Sequence, residues 1–480
     1  MPLDADTRYR ALAARDPRFD GRFFVGVKTT GIYCRPVCPA RTPRRDRCTF
    51  FETAAAAERD GFRACFRCRP ELAPGNAQMD ATSRLVNAAV TRIASGVLNE
   101  GSVEELAESL GVTDRHLRRV LVEALGVSPV ELAQTARLAL AKRLLHDSSL
   151  SLAELAFASG FQSVRRFNSA FDARFHRSPT SVRREAREDG SEGVRLRLDY
   201  RPPFLWSSAL RFFAARAMPG VESVEGDVYR RTVNVGSAKG WLSVEPHPTQ
   251  PALVATLSSS LVGELMPIVA KLRRLFDLDA HPAEVDACLS KDATLRPLVR
   301  AKPGLRVPGA FDGFETTVRA VLGQQVSVKG ATTLAGRLAE RFGTPLRTPF
   351  DGLRFVFPTA ARLAQASERE LASIGLPGAR ARTLLELARA VKSGLVLEPG
   401  VDVEGVLTRL AELPGIGPWT TQYVAMRALG WPDAFPASDL GVLKALKVTR
   451  AAEALERAES WRPWRAYATL HLWSLLEVAT

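Results

Sequence analysis

The chain has 480 residues, 46% hydrophobic and 25% charged, a balance that excludes a disordered or fibrous protein and calls for more than one core. No apolar run approaches the roughly 20 residues of a membrane span. The opening MPLDADTRYR lacks the apolar core and cleavage site of a secretory signal, so a cytoplasmic protein with no membrane partner is expected. The 66 basic against 52 acidic side chains leave +14, which favours polyanionic partners because neutralised phosphates release counterions, although an Arg-rich proteome would give the same sign.

Five of the six cysteines, Cys34, Cys38, Cys48, Cys65 and Cys68, crowd into the first segment, residues 1–76, and only Cys288 lies beyond it. In a reducing compartment such crowding reads as a metal site, not a disulfide framework. Cys34-Arg-Pro-Val-Cys38 and Cys65-Phe-Arg-Cys68 form two close pairs, and each pair can span one edge of a tetrahedral Zn²⁺ site. Spacing does not separate a structural zinc from a reactive one. Cys48 stands outside both pairs and reads as a small core residue. VKTTGIYCRPVCPAR followed by GFRACFRCRPE resembles the N-terminal zinc domain of Ada-type alkylation-response proteins over most of residues 7–74. The resemblance implies a small zinc-binding α+β domain in which one zinc-bound thiolate takes a methyl group from a methylated DNA phosphate. The first cysteine of the motif, here Cys34, is the implied acceptor, with Cys38, Cys65 and Cys68 as the other ligands. Zinc keeps a thiol deprotonated. Methylating one of four thiolates would lower the net negative charge and its repulsion from DNA, so that repair could act as a switch.

Residues 81–184 read as short amphipathic helices containing an internal repeat. SVEELAESLGVTDRHLRRVLVEALGVSP returns about fifty residues later as SLAELAFASGFQSVRRFNSAFDARFHRSP. Each copy opens with a capping box, Ser102 to Glu105 and Ser151 to Glu154. Each turns at a glycine, Gly111 or Gly160, then enters a basic helix and closes on Ser-Pro, the outline of a tandem helix-turn-helix. The pair resembles an AraC-type DNA-binding domain, which accompanies the zinc domain in Ada-type proteins. Thr113–Val122 and Gln162–Phe171 are the implied recognition helices, in successive major grooves. Arg115, His116, Arg118 and Arg119 in the first, and Gln162, Ser163, Arg165 and Arg166 in the second, are candidate base or phosphate contacts, some of which will be solvated surface. Full-length Ada-type proteins end in an alkylguanine transferase domain with a Pro-Cys-His-Arg nucleophile. No cysteine follows Cys288, which sits in DACLSK, so that second methyl-transfer activity is expected to be absent.

REAREDGSEG reads as a charged linker. From Val194 the pattern alternates, with VRLRLDY and VYRRTVNV as expected strands, and after about Lys302 it becomes helical to the end. Leu413-Pro-Gly-Ile-Gly-Pro-Trp-Thr reads as helix, hairpin, helix, with Gly415 and Gly417 letting backbone N–H groups approach a phosphate. Asp439 follows in FPASDLGVLKAL, where it suits a helix N-cap as well as a catalytic carboxylate. LGQQVSVKGA, LPGIGPWTTQYVAMRALGWPDAFPASDLG and WRPWRAYATLHLW resemble the AlkA-type 3-methyladenine DNA glycosylases of the helix-hairpin-helix family. That resemblance covers nearly everything after Val194.

It implies an α+β (TBP-like) domain over 194–303 and an all-α helix-hairpin-helix glycosylase domain over 304–480, making the whole chain multi-domain and mainly α. Asp439 is then the implied catalytic residue, since breaking an N-glycosidic bond builds positive charge on the sugar that a carboxylate stabilises. Trp419, Tyr423 and Trp473 are the implied lining of a pocket for a flipped, cationic base, though Tyr423 and Trp473 suit core aromatics equally. Position 419, a lysine in relatives that also cut the strand, cannot form a Schiff base as tryptophan. In the Gly323-Gln324-Gln325-Val326-Ser327 stretch Gln325 replaces the leucine that fills the gap left by the flipped base. Gln324 and Gln325 are counted with the substrate-binding residues. Zn²⁺ is the expected cofactor, and alkylated DNA, promoter DNA and RNA polymerase are the expected partners. The competing reading is a regulator whose glycosylase half has decayed into a DNA-binding platform.

Overall fold

A computed structural model of the chain describes residues 3–75, 84–185 and 194–476. Most of the expected charged linker, residues 186–193, lies outside them. The chain forms two compact units, the first made of Met1–Pro202, His247–Ala270 and Leu278–Ala280, the second of Pro203–Pro246, Lys271–Asp277 and His281–Thr480. Among the described residues no helix is long and apolar enough to cross a membrane.

The first unit opens with a small sheet of β1 (Phe24–Val27), β2 (Ile32–Cys34), β3 (Cys48–Phe51) and β4 (Arg63–Ala64) in the order β3-β1-β2-β4. β1 pairs antiparallel with β2 and β3, and β2 parallel with β4. Phe23, Val25 and Cys48 pack with Leu12 beneath it, so Cys48 is the core residue its isolation suggested. Helices follow: α1 (Val103–Ser109), α2 (Asp114–Leu125), α3 (Pro129–Asp147), α4 (Leu152–Ala158) and α5 (Val164–Phe175). Both expected capping boxes are present, and Ser128 with Glu131 forms a third at the start of α3. Gly111 and Gly160 turn at φ +71° and +87°, left-handed conformations that a side chain would oppose. Leu117, Leu121 and Leu125 bury one face of α2, and Phe167, Phe171 and Phe175 the same face of α5, the four-residue spacing that makes a helix side apolar. Strands Val194–Asp199 and Ala252–Leu257 pair antiparallel in this unit.

The second unit holds an antiparallel meander of Glu222–Glu225, Val228–Val235 and Ala238–Pro246 and the helix Trp206–Arg216. Its largest helical core is built on α6 (Gly313–Leu322), α7 (Val328–Phe342), α8 (Gly378–Lys392), α9 (Val403–Ala411) and α10 (Pro418–Arg427), with α11 (Leu440–Leu446) and α12 (Arg465–Leu476) after them. The described part of the C-terminal stretch is not wholly helical, because Thr344–Pro345 pairs with Phe355–Val356. Gly343 and Pro345 supply the reason, since neither residue extends a helix.

Candidate functional site

The four paired cysteines converge. The Sγ atoms of Cys34, Cys38, Cys65 and Cys68 all lie within 4.8 Å of one another, and four sulfurs about 2.3 Å from a shared Zn²⁺ would be spaced similarly. β2 ends on Cys34, and Cys65 follows β4, so the parallel pairing of Tyr33 with Ala64 brings the two motifs together. Cys34 is half-buried and its three partners are buried. Hydrogen bonds among the four split the thiols: the bond with Cys34 draws Cys38 down to about 7, the same partner draws Cys65 down, and the bond with Cys38 pushes Cys34 up. Such a donor set suits a divalent soft-ligand cation, which lets all four sulfurs be anionic together.

Cations steady this cluster from behind. The Arg35 N–H donates to Cys68 Sγ at 3.4 Å, and its buried guanidinium joins Asp20, Asp199 and the Cys68 carbonyl. Lys142 of α3, fully buried, donates to the Cys65 carbonyl at 3.0 Å and to Glu71 Oε2 at 2.9 Å. Burial would raise the Glu71 carboxyl, but Lys142 and Arg69 outweigh it and hold it below the usual range. Beneath β2, buried Glu58 accepts from Tyr33 at 2.9 Å, from Thr135 of α3 at 2.6 Å and from Arg174 of α5. The cluster is thereby tied to α5 of the tandem repeat and to α3, which joins its two copies. None of these partners is marked in the sequence, where Lys142 is one cation in ALAKRLLHD.

The candidate DNA contacts separate into two groups. Arg115, Arg165 and Arg166 are exposed and stand on the first turns of α2 and α5. Arg118 pairs with Asp114 at 3.2 Å, and Arg119 donates to His116 Nδ1 at 3.2 Å. Two of the sequence's candidates also have structural roles. Gln162 Nε2 donates to the Asn99 carbonyl at 2.9 Å, and the Ser163 hydroxyl caps α5 by accepting from the Arg166 N–H.

In the second unit the hairpin residues join α9 to α10. Gly415 sits at φ +83° with Thr383 Oγ1 2.3 Å from where a Cβ would stand, whereas nothing lies within 4 Å of a Cβ on Gly417. Gly417 is the N-cap of α10 and provides no side-chain cap, leaving first-turn N–H groups suited to an anion. Trp419, Tyr423 and Arg427 follow at four-residue spacing along one face of α10.

Asp439 lies where both of its sequence readings meet. As N-cap of α11 its Oδ1 accepts from the Val442 N–H at 3.0 Å. The same oxygen accepts from Trp473 Nε1 and Oδ2 from Trp419 Nε1, each at 2.8 Å. The loop before it is fixed by Asp433, which Arg465 clamps at 2.7 and 3.0 Å. Trp419 and Tyr423 stack with centroids 5.2 Å apart, and Tyr423 and Trp473 are 6.4 Å apart and tilted, so three aromatics and the carboxylate form one constellation. Gln325 is exposed with φ +54°, a left-handed conformation unusual for such a residue. Gln324 turns the other way: its Nε2 donates to the Gly415 carbonyl and Thr420 Oγ1, both at 2.9 Å. Its amide N–H groups thus brace the hairpin. Arg427, unmarked by sequence reasoning, donates to the Tyr423 hydroxyl at 2.7 Å. Its signal was the spacing of 419, 423 and 427.

A helix-hairpin-helix followed by a tryptophan-held aspartate, in a chain that also carries a four-sulfur cluster and a tandem helix-turn-helix, defines a base-excision repair protein joined to a regulatory segment. Family models agree segment by segment: the metal binding domain of Ada over residues 7–71, a helix-turn-helix domain over 106–185, the AlkA N-terminal domain over 195–312, and the HhH-GPD superfamily of base excision DNA repair proteins over 318–465. The chain is 42% identical to a probable bifunctional transcriptional activator/DNA repair enzyme AlkA of Mycobacterium tuberculosis over 99% of its own length and 97% of that protein's. It is 39% identical to DNA-3-methyladenine glycosylase 2 of Escherichia coli over 58% of this chain and 95% of the relative. A 3-methyladenine DNA-glycosylase structure from Archaeoglobus fulgidus shares the fold of 58% of this chain and 96% of that one, with TM-score 0.51 and 24% identity. The chain belongs to the family of bifunctional transcriptional activator/DNA repair enzymes of the AlkA type.

Proposed function

We propose that the chain is a two-part response to alkylated DNA: a monofunctional 3-methyladenine glycosylase joined to a zinc-thiolate methyl acceptor that regulates transcription through the tandem helix-turn-helix. The four segments assigned from the sequence are its working parts. The observation that carries the enzymatic half is the Asp439 carboxylate, held by two indole N–H groups beside an aromatic wall. A flipped, alkylated purine would stack on Tyr423 and Trp473 with its sugar toward Asp439. As the N-glycosidic bond breaks, its electron pair leaves with the base, and Asp439 stabilises the positive charge on the sugar until water adds. Gly415 and Gly417 would hold a backbone phosphate, and Gln325 would fill the space left in the duplex. Trp419 cannot form a Schiff base, so the product is an intact strand with an abasic site.

In the first unit, Zn²⁺ when bound keeps the sulfurs anionic at neutral pH. Cys34, the half-buried member of the set, would attack the methyl carbon of a phosphotriester. The S–C bond forms, the C–O bond breaks and its electron pair restores a diester anion. Arg115, Arg165 and Arg166 are the first choices for promoter contacts, with His116, Arg118 and Arg119 beside them, and RNA polymerase is the partner such activation requires.

One incubation with methylated duplex DNA tests both halves. Full-length protein should release 3-methyladenine and gain one methyl group on Cys34 by mass spectrometry, and Asp439→Asn should lower release about 10²- to 10³-fold while Cys34 is still methylated. No release together with normal promoter binding would leave the regulator-only reading; a methyl on Cys38, or on no cysteine, would remove Cys34 as acceptor.

A further inference from the structure

We infer that Arg427 is a positioning residue that sets the balance between uncharged and positively charged damaged bases, an inference that rests on the base-excision reading above. Arg427 is buried on α10, one turn beyond Tyr423. Its guanidinium donates to the Tyr423 hydroxyl at 2.7 Å, to the Gly309 carbonyl at 3.2 Å and to the Pro308 carbonyl. It also lies 5.5 Å from the Tyr423 ring centre and 4.6 Å from that of Phe212. All of these partners are neutral. Arg216 and Arg319 act on Arg427 as like charges, and Glu222, the carboxylate that acts on it, pairs with Arg319 at 2.8 Å. A buried guanidinium stays protonated, so a full positive charge stands behind the wall on which the base would stack.

That arrangement has two effects. The fork fixes the ring: with its hydroxyl held by Arg427 and its face against Trp419 at 5.2 Å, Tyr423 has little freedom to tilt. The charge acts on the base. A ring-alkylated purine enters as a cation and becomes neutral as it leaves, so the guanidinium opposes its entry and only hands that opposition back as the bond breaks, with no net gain over the free state. An uncharged base enters without that penalty and gains negative charge as it takes the bonding electron pair, which the guanidinium stabilises. Two unit charges about 9 Å apart in a partly buried site interact strongly enough to change a rate roughly ten- to thirtyfold. The fork serves both kinds of base alike, and the charge tilts excision toward uncharged ones.

Single-turnover release by the full chain at sub-saturating protein, where the rate includes entry of the base, from duplexes carrying one 7-methylguanine (cationic) or one hypoxanthine (neutral) tests this. Wild-type protein should release both. Arg427→Gln should raise the 7-methylguanine to hypoxanthine rate ratio about tenfold, whereas Arg427→Lys, which keeps the charge but loses the fork, should lower both rates and leave the ratio within about threefold. A purely structural Arg427 would move the two rates together in both variants. Should Arg427→Gln fail to fold, Tyr423→Phe carries the test: ring and charge remain, so the ratio should stay near wild type, and a tenfold change there overturns the inference. A wild-type ratio in folded Arg427→Gln, or no hypoxanthine release by wild type, also overturns it. No release from either duplex defeats the base-excision reading and the inference with it.

Discussion

In the first unit, four sulfurs lie within 4.8 Å of one another and the groups around them are charged: Arg35 against Asp20 and Asp199, Lys142 and Arg69 against Glu71. In the second unit a single carboxylate, Asp439, is held by Trp419, Trp473 and the Val442 N–H, all neutral donors. The contrast follows from what each anion is for. A cluster of thiolates is unstable unless cations balance it, so counter-charge is built into its surroundings. A carboxylate that must meet a developing cation loses its use if a guanidinium neutralises it first. Neutral N–H groups orient it and leave its charge available. A buried cation of that site, Arg427, is set against Tyr423 and not against the carboxylate.

The largest test of this contrast is Lys142→Met. It strands Glu71 as a buried anion with Arg69 as its remaining partner, at 3.0 Å, and breaking a buried pair this way costs about 3–5 kcal/mol. Denaturant unfolding followed in the first unit should show that loss, and zinc should leave faster to a chelator because the Cys65 carbonyl loses its donor. A cost under about 1 kcal/mol would mean that the cluster is not steadied by charge.

Acid offers a slightly smaller test, aimed at the second unit. His471 is buried on α12, and burial, then Lys302, pulls its imidazole down to about 4. Between about pH 6.5 and 4 the unfolded chain takes a proton that the folded one refuses, so stability falls as pH falls through that window, by about 3 kcal/mol in all, and is flat above it. His471→Met should abolish this slope. The Glu71 carboxyl, held below its usual value of 4.5, keeps its contribution over the upper part of that window and loses it progressively only as pH falls below about 4.5. An unchanged slope in His471→Met would assign the acid sensitivity elsewhere.

What the sequence disclosed at each site depended on whether the signal was local. The cysteine pairs, capping boxes and hairpin glycines are short patterns whose geometry a few residues decide, and the structure places them together as their spacing suggests. Asp439 was legible as an N-cap, but the two indoles that make it more than a cap come from positions 20 and 34 residues away. The second roles of Gln162 and Gln324 were hidden for the same reason: the Asn99 and Gly415 carbonyls to which their amides donate lie 63 and 91 residues away in the chain. Lys142 and Glu58 were invisible because a buried charge announces itself only through its partners, and those are distant in the chain, whereas Arg427 showed only its helical spacing from Trp419 and Tyr423.

The smallest effect separates the two hairpin glycines, which the sequence treats alike. A Cβ on Gly415 would stand 2.3 Å from Thr383 Oγ1 at a backbone φ of +83°, so Gly415→Ala meets both a clash and a strained conformation and should cost about 1–3 kcal/mol. It should also push aside the carbonyl that Gln324 holds at 2.9 Å, coupling the hairpin to the Gln325 wedge. Gly417 has an ordinary φ of −93° and open space around it, so Gly417→Ala should cost less than about 1 kcal/mol in folding. Its added methyl sits where a phosphate would approach the α10 N–H groups, so weaker binding of undamaged duplex, at unchanged thermal stability, is the expected signature. If both alanines weakened binding and stability by the same amounts, the hairpin would be a plain connection, and neutral N–H groups would not serve the phosphate as they serve Asp439.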